Sequence, residues 1–155
     1  MPGESQASRH DIKTNWLTVV EALGRRFLLG PEETQFIKTR DTCRIATVGR
    51  DGWPHCVPVG YVYERNLFYI PSARTAKKVS NLRTNGLACL VIDDDNSRER
   101  GIMIQGQASI VRDRRFARLG TWMESKTGWT MGSDTVMVVF KPVRKASWSL
   151  SKRLG

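Results

Sequence analysis

The sequence predicts a mainly β fold of roughly six antiparallel strands, closed or nearly closed, with flanking helices. Three observations predict it. Short apolar runs with period-two alternation recur through the middle of the chain. Tight-turn signals, Asp51-Gly52 and Glu64-Arg65-Asn66, separate them at hairpin distance. Helical periodicity is confined to the N-terminal region and to two short segments between strands. With 155 residues the chain makes one domain, able to bury about two-thirds of its unfolded surface, so neither a metal nor a disulfide is needed for folding. Its 40% hydrophobic and 26% charged residues exclude a disordered chain. No apolar run approaches the stretch of about 20 residues that spans a bilayer.

The elements follow in order. Residues 1–10 read as a polar tail with no secretory apolar region. Over residues 12–29, Ile12, Trp16, Val19, Val20, Leu23 and Phe27 fall on one helical face. Packing on the barrel or across a dimer is the expected use of that face, ahead of a membrane surface. Gly30-Pro31 ends this helix and starts a second, with Pro31 at N1, Glu32 and Glu33 in the first turn, and Phe36 and Ile37 as anchors. Strands are expected at 43–48, 55–63, 67–71, 87–92, 102–111 and 136–140, with a last extended stretch from Pro142 toward Trp148 and Leu150. Short helices are expected at 75–83 and 113–125. In the 102–111 strand, Ile102, Ile104, Ala108 and Ile110 share one face and Gln105, Gln107 and Ser109 the other.

The cysteines, Cys43, Cys56 and Cys89, are odd in number and lack metal-ligand spacing. With Asp51-Gly52 at a hairpin centre, Cys43 faces a position near Gly60 and Cys56 one near Thr47, so the two sulfurs are not cross-strand neighbours, which argues against a disulfide between them. Reduced thiols, no metal site and a cytoplasmic location are the expectation. The run Asp93-Asp94-Asp95 reads as a solvated loop. No nucleophilic triad is visible, since Cys56 and His55 are adjacent in a strand and point to opposite faces.

The formal net charge is +10, which implies an anionic partner. The charge is local. Residues 71–90 carry Arg74, Lys77, Lys78 and Arg83 with no acid, whereas 91–113 are net acidic. With Thr75 as the N-cap, Lys77 and Lys78 fall at N2 and N3 of the 75–83 helix, where Asp or Glu is preferred. Ser72, Arg74 and Thr75 add donors just before it. Free amides, hydroxyls and cations converging at one strand-to-helix junction describe a phosphate-binding site; a surface helix with solvated lysines is the plainer alternative. In the returning strand, Pro58 requires an edge or a bend, and Gly60 lets another backbone or a flat ring come close.

Taken together, Arg44-Ile45-Ala46-Thr47-Val48, then Asp51-Gly52-x-Pro54-His55-x-Val57-Pro58-Val59, then Lys77-Lys78-x-x-Asn81-Leu82, resemble the pyridoxamine 5'-phosphate oxidase-like split-barrel superfamily, and within it the flavin- and deazaflavin-dependent oxidoreductases. The resemblance covers residues from about 32 to 150, including the strand with Gly106 and the ending Pro142 to Trp148. With the N-terminal pattern read above, the chain divides into a tail and amphipathic helix over 1–30 and, as the resemblance implies, a split-barrel cofactor-binding domain over 31–155. The resemblance also implies a homodimer with cofactor sites at the interface. The cofactor would be FMN, or alternatively the deazaflavin coenzyme F-420. By position, Lys77 and Lys78 match the basic pair on the cofactor phosphate, Thr75 the nearby hydroxyl region, and Val57, Pro58 and Val59 the strand along the ring.

The sequence departs from true pyridoxamine-phosphate oxidases at Val57 and Val62, which stand where those carry an arginine and a lysine. The segment that grips pyridoxal phosphate is not evident either. The implied activity is hydride transfer between the cofactor ring and a small unsaturated or carbonyl substrate, with no catalytic side chain singled out. A non-catalytic flavin carrier or sensor is one alternative. A basic nucleic-acid-binding barrel is the other, and the strands show no evenly spaced aromatic platform for it. Trp122, Trp129 and Trp148 are candidates either for core packing or for lining a substrate cavity from the partner subunit.

Overall fold

The computed structural model describes residues 27–94 and 99–150. The expected helix over 12–29 lies almost wholly outside the described residues; Phe27 and Leu29, which are described, are not helical and pack against the core. Among the described residues the order is α1 (Pro31–Lys38), β1 (Thr42–Val48), β2 (Pro54–Gly60), β3 (Val62–Glu64), β4 (Leu67–Ala73), α2 (Lys77–Thr84), β5 (Leu87–Asp93), β6 (Gly101–Val111), α3 (Arg114–Thr127) and β7 (Thr135–Trp148). The strands number seven, not six. The expected single strand over 55–63 is interrupted at Tyr61, and its two pieces belong to opposite edges of one sheet of order β2-β1-β5-β6-β7-β4-β3.

That order dictates the shape. Seven strands laid flat would separate β2 from β3 by about 29 Å at about 4.8 Å per neighbour, yet only Tyr61 stands between them. The sheet must curl until its edges meet, which gives the split barrel. Tyr61 fixes the meeting point: its amide donates to the Asp41 carbonyl (2.8 Å) and its buried hydroxyl to the Ile37 carbonyl (2.6 Å). All strand pairs are antiparallel. Inside lie Ile45, Phe68, Ile70, Leu90, Ile104 and Phe140, all fully buried. Phe68 packs between Tyr61, Tyr63 and Phe140 with ring centroids 4.8–5.9 Å apart, a spacing at which each aromatic pair adds about 1 kcal/mol beyond its buried area.

Local sequence explains most boundaries. Pro31 opens α1 at N1 with Glu32 and Glu33 in its first turn, and Phe36 and Ile37 are buried. Arg65 and Asn66 both take positive φ, 49° and 63°, as the hairpin between β3 and β4 requires. Asp113 caps α3 through its side chain, which accepts from the Arg115 amide (3.0 Å), and Gly128 ends it at φ 75°. Three details differ from expectation. The β1–β2 register pairs Cys43 with Val59 and Cys56 with Ala46, one residue off, because the turn spans Gly49 to Gly52 and is not centred on Asp51-Gly52. The thiols are still not neighbours, and all three cysteines are free. Ala76, not Thr75, caps α2, because a turn closed by the Ala76 amide on the Ala73 carbonyl (3.0 Å) places Arg74 and Thr75 at its tip. Finally, β7 runs unbroken through Pro142, with Val143 the extra residue of a bulge opposite Gln105 and Gly106.

One polar cluster ties α1 to β7. The Glu33 carboxylate accepts from the Gly30 amide (2.8 Å) and the Ser147 hydroxyl (2.8 Å), and it pairs with the Lys145 ammonium. Burial pushes its carboxyl up, but Lys145, Gly30 and Ser147 outweigh burial and hold it below its ordinary value. A depressed carboxylate stabilises the fold above its unfolded-state pKa and loses that contribution as pH falls through the folded one. Glu33→Gln is therefore expected to cost about 1–2 kcal/mol at pH 7. Urea unfolding midpoints of the two proteins should converge as the pH is lowered toward 3.

Candidate functional site

The seam where the sheet edges meet carries the two segments singled out in the sequence. Beyond it β2 is an edge strand, so one side of its backbone is open. Val57 is half-buried and Val59 buried, both facing inward with Ile45 and Cys43, while Pro58 faces outward and is exposed. Of the three expected ring-contacting residues, only Pro58 therefore presents its side chain outside; Val57 and Val59 offer backbone. Gly60, at the end of β2, lies in one open groove of about 400 Å³ with Pro71, Ser72 and Ala73 of β4. The end of the edge strand and the start of the basic junction are thus brought together.

Across the turn, the residues differ in environment. Ser72 is buried, and its hydroxyl donates to the Ile70 carbonyl at 3.4 Å. Arg74 and Thr75 are exposed at the turn tip. Arg74 lies 3.5 Å from the Asp134 carboxylate with both side chains about half exposed or more, an ion pair worth little in water. The break at Ala76 moves the lysines back by one position: Lys77 is at N1 and exposed, Lys78 at N2 and half-buried. The Lys77 and Lys78 amides have no acceptor among the described residues, whereas the Val79 amide donates to the Ala76 carbonyl (2.9 Å); the turn contains no acid. Lys78 has no carboxylate partner among the described residues, and burial pushes its ammonium pKa down. An ammonium partly withdrawn from water without a counter-charge is a costly arrangement that an incoming anion relieves.

The far side of α2 anchors the junction. Val79 and Leu82 are buried in the core, and the buried Asn81 amide donates to the Thr47 hydroxyl (3.0 Å). His55, opposite Thr47, is half-buried, and its Nδ1 has no hydrogen-bond partner among the described residues. Burial pushes the Cys43 thiol up to about 12, so it is no nucleophile at neutral pH. No cluster of three metal-ligating side chains occurs among the described residues.

The sequence leaves Gly60 open to another backbone or a flat ring, or to a barrel-corner kink with no ligand; the group that comes close is a side chain of the same chain. A Cβ on Gly60 would stand 2.7 Å from Cη2 of Trp129. Trp129 therefore lines the groove of its own subunit. Thr130 and Thr135 also line it; neither was singled out from the sequence, since no local pattern links residues 129–135 to β2. Trp122 packs edge-on against Tyr69, and Trp148 covers Gly101.

On the opposite, outward face of β1, β5 and β6, a cavity of about 210 Å³ is lined by Ala46, Val48, Leu87, Cys89, Gly106 and Val143 among others, a mainly apolar surface. No helix among the described residues is long and apolar enough to cross a membrane.

Comparison with known proteins places this geometry. A family model described as pyridoxamine 5'-phosphate oxidase matches residues 29–149. No curated protein matches the sequence. Among solved structures, the heme storage protein HutZ of Vibrio cholerae is similar over 79% of this chain and 96% of its own, with TM-score 0.67 and 18% identity. An F-420 reductase is similar over 77% and 98%, with TM-score 0.63 and 17% identity. A FAD-binding protein of Mesorhizobium loti is similar over 79% and 95%, with TM-score 0.62 and 22% identity. At these identities the likeness is one of fold.

Proposed function

The chain belongs to the pyridoxamine 5'-phosphate oxidase family, and from that premise we propose that it is a flavin- or deazaflavin-dependent oxidoreductase acting on a small unsaturated or carbonyl molecule. The observation that carries the reading is Lys78, half-buried at the acid-free first turn of α2 with no carboxylate partner among the described residues. In this reading Lys78 and the free amides of α2 hold the cofactor phosphate, with Arg74 and Ser72 beside it. Lys77, more exposed, contributes field and not contact. The open backbone of β2 from Val57 to Val59 lies along the ring and offers hydrogen bonds to its heteroatoms, with Pro58 outside. When bound, such a ring supplies hydride transfer; the protein supplies placement and electrostatics. FMN is the first candidate and coenzyme F-420 the alternative, since both present a phosphate to the same cations.

The test is direct titration. The apo-protein should quench the fluorescence of one of the two cofactors with saturable affinity. Reduction of the bound cofactor followed by reoxidation with an unsaturated acceptor then separates an enzyme from a carrier. Binding of neither cofactor contradicts the proposal.

The reading includes a homodimer. The apolar outward face of β1, β5 and β6 is the surface that a second copy would cover. Ala46 sits there between Cys56 and Cys89 on the neighbouring strands. Ala46→Glu places a carboxylate in the middle of this mainly apolar face. Sedimentation should then fall from twice the chain mass to the single-chain 17.6 kDa, with helix and strand content unchanged. A wild-type monomer contradicts the dimer.

A further inference from the structure

Arg112, Arg114, Arg115 and Arg118 crowd the start of α3, with Asp113 the one acid among them. The helix packs through its other side: Phe116 and Leu119 are half-buried, Gly120 and Met123 buried, and Trp122 lies against Tyr69 of β4. That apolar spacing turns Arg114, Arg115 and Arg118 to solvent, and all four arginines are exposed. None has a carboxylate partner among the described residues. The Asp113 carboxylate caps the helix by accepting from the Arg115 amide, and Glu124 accepts from the Met131 amide. Arg114, Arg115 and Arg118 are surface neighbours at a spacing where like charges weaken a helix. A bound polyanion removes that cost.

The strand registers set this cluster at one end of the barrel. β6 ends at Val111 opposite Met137, where β7 begins and β4 ends. β5 starts at the same end, and the β1–β2 turn lies there too. That turn carries Trp53, whose side chain is 77% exposed, more than any other large hydrophobic among the described residues. Cations for phosphates and an exposed ring for a base are the two parts of a single-strand site. Guanidinium suits the first part, since its planar fork binds a phosphate through two hydrogen bonds. A membrane surface fits less well, because the outward face of α3 carries Thr121 and Ser125 beside its arginines and no large apolar side chain to insert. A second copy also fits less well, because Glu33, Glu64, Asp93 and Asp94 are each already paired with a cation. The face assigned above to a second copy lies on β1, β5 and β6, whereas α3 lies over β4.

We propose that this end of the barrel binds single-stranded nucleic acid, the four arginines holding backbone phosphates and Trp53 stacking on a base. The proposal does not rest on the oxidoreductase reading, whose phosphate site is at Lys78. The strands themselves take no part; the contacts come from a helix start and a turn.

The test titrates the full chain, as purified, into a fluorescently labelled single-stranded oligonucleotide of about 12 nucleotides, read by anisotropy at several salt concentrations. Each phosphate held contributes about 0.7 to the slope of log affinity against log salt, so four arginines predict a loss of about 50-fold from about 50 to about 200 mM. Arg114→Gln with Arg118→Gln should lower the slope by about 1.4. Arg115→Gln alone should lower it by about 0.7, which keeps the test open where circular dichroism shows the double variant unfolded. Trp53→Ala should weaken binding about tenfold at every salt and leave the slope unchanged, because stacking releases no counterions. Lys38→Ser with Arg65→Asn, which removes the same charge at the opposite end, should leave the slope unchanged, and Lys78→Ala should change affinity less than about twofold. A colourless protein that binds the oligonucleotide in this way supports the proposal and removes only the oxidoreductase reading. No saturable binding at the lower salt, a slope unmoved by the arginine variants, an equal effect of the control pair, or a duplex bound as tightly as the single strand overturns the proposal. Binding of phosphatidylserine vesicles in place of the oligonucleotide also overturns it and reassigns this end to a membrane surface.

Discussion

Lys78→Ala is expected to weaken cofactor binding by about 10- to 100-fold, the span of one lost charge-assisted hydrogen bond to a phosphate. Lys77→Ala is expected to weaken it only about twofold. The asymmetry follows from position. Both are lysines in one helix turn, but Lys78 is half-buried and Lys77 exposed. An exposed ammonium acts through water and is screened by salt; a partly buried one is not. Lys78→Arg keeps the charge but puts a longer, planar head where a compact one fits, and should recover part of the affinity. The comparison is read by fluorescence titration at two salt concentrations. The Lys77 effect should vanish at high salt and the Lys78 effect persist. Equal effects of the two substitutions would mean that the phosphate does not sit against the first turn of α2.

The second large effect concerns the bulge that lets β7 run on past Pro142. Gly106 faces Pro142 across the β6–β7 pair, where the register shifts. A Cβ there would stand 2.2 Å from the Lys141 carbonyl oxygen and 2.8 Å from Cζ of Phe140. The first obstacle is backbone, which cannot rotate aside, and the second is a fully buried ring. Gly106→Ala is thus expected to cost about 3 kcal/mol, a large share of the 5–15 kcal/mol typical of a domain. It is measured as a drop in urea midpoint at constant slope. Gly52, which has positive φ but nothing within 4 Å, is the control: its Ala variant suffers only backbone strain, about 1 kcal/mol.

Much of this was legible in the sequence because it is local chemistry. Pro31 with Glu32 and Glu33 marks a helix start wherever it occurs, and the turn at Arg65-Asn66 needs only its neighbours. The strand break at Tyr61 was not legible. Val57, Val59, Tyr61 and Tyr63 alternate without interruption, and what divides them is remote: Trp129 on Gly60, and the Tyr61 hydroxyl on Ile37. The cap of α2 failed for a smaller reason. Thr75 has the better cap propensity, but the turn from Ala73 to Ala76 takes precedence over it. In the site, the basic junction was readable from its missing acids, whereas the groove at Trp129 depends on a loop about 70 residues from Gly60 in sequence. The inward orientation of Val57 and Val59 needed the register with β1, which fixes the open side of β2 as backbone and Pro58.

The most direct measurement of the central claim is the visible absorption spectrum of the protein purified from a host that makes both FMN and coenzyme F-420, with mass spectrometry of any released chromophore. The account predicts a stoichiometric flavin or deazaflavin that is lost in Lys78→Ala. A colourless protein that takes up neither added cofactor, or one whose chromophore is retained unchanged by Lys78→Ala, contradicts it.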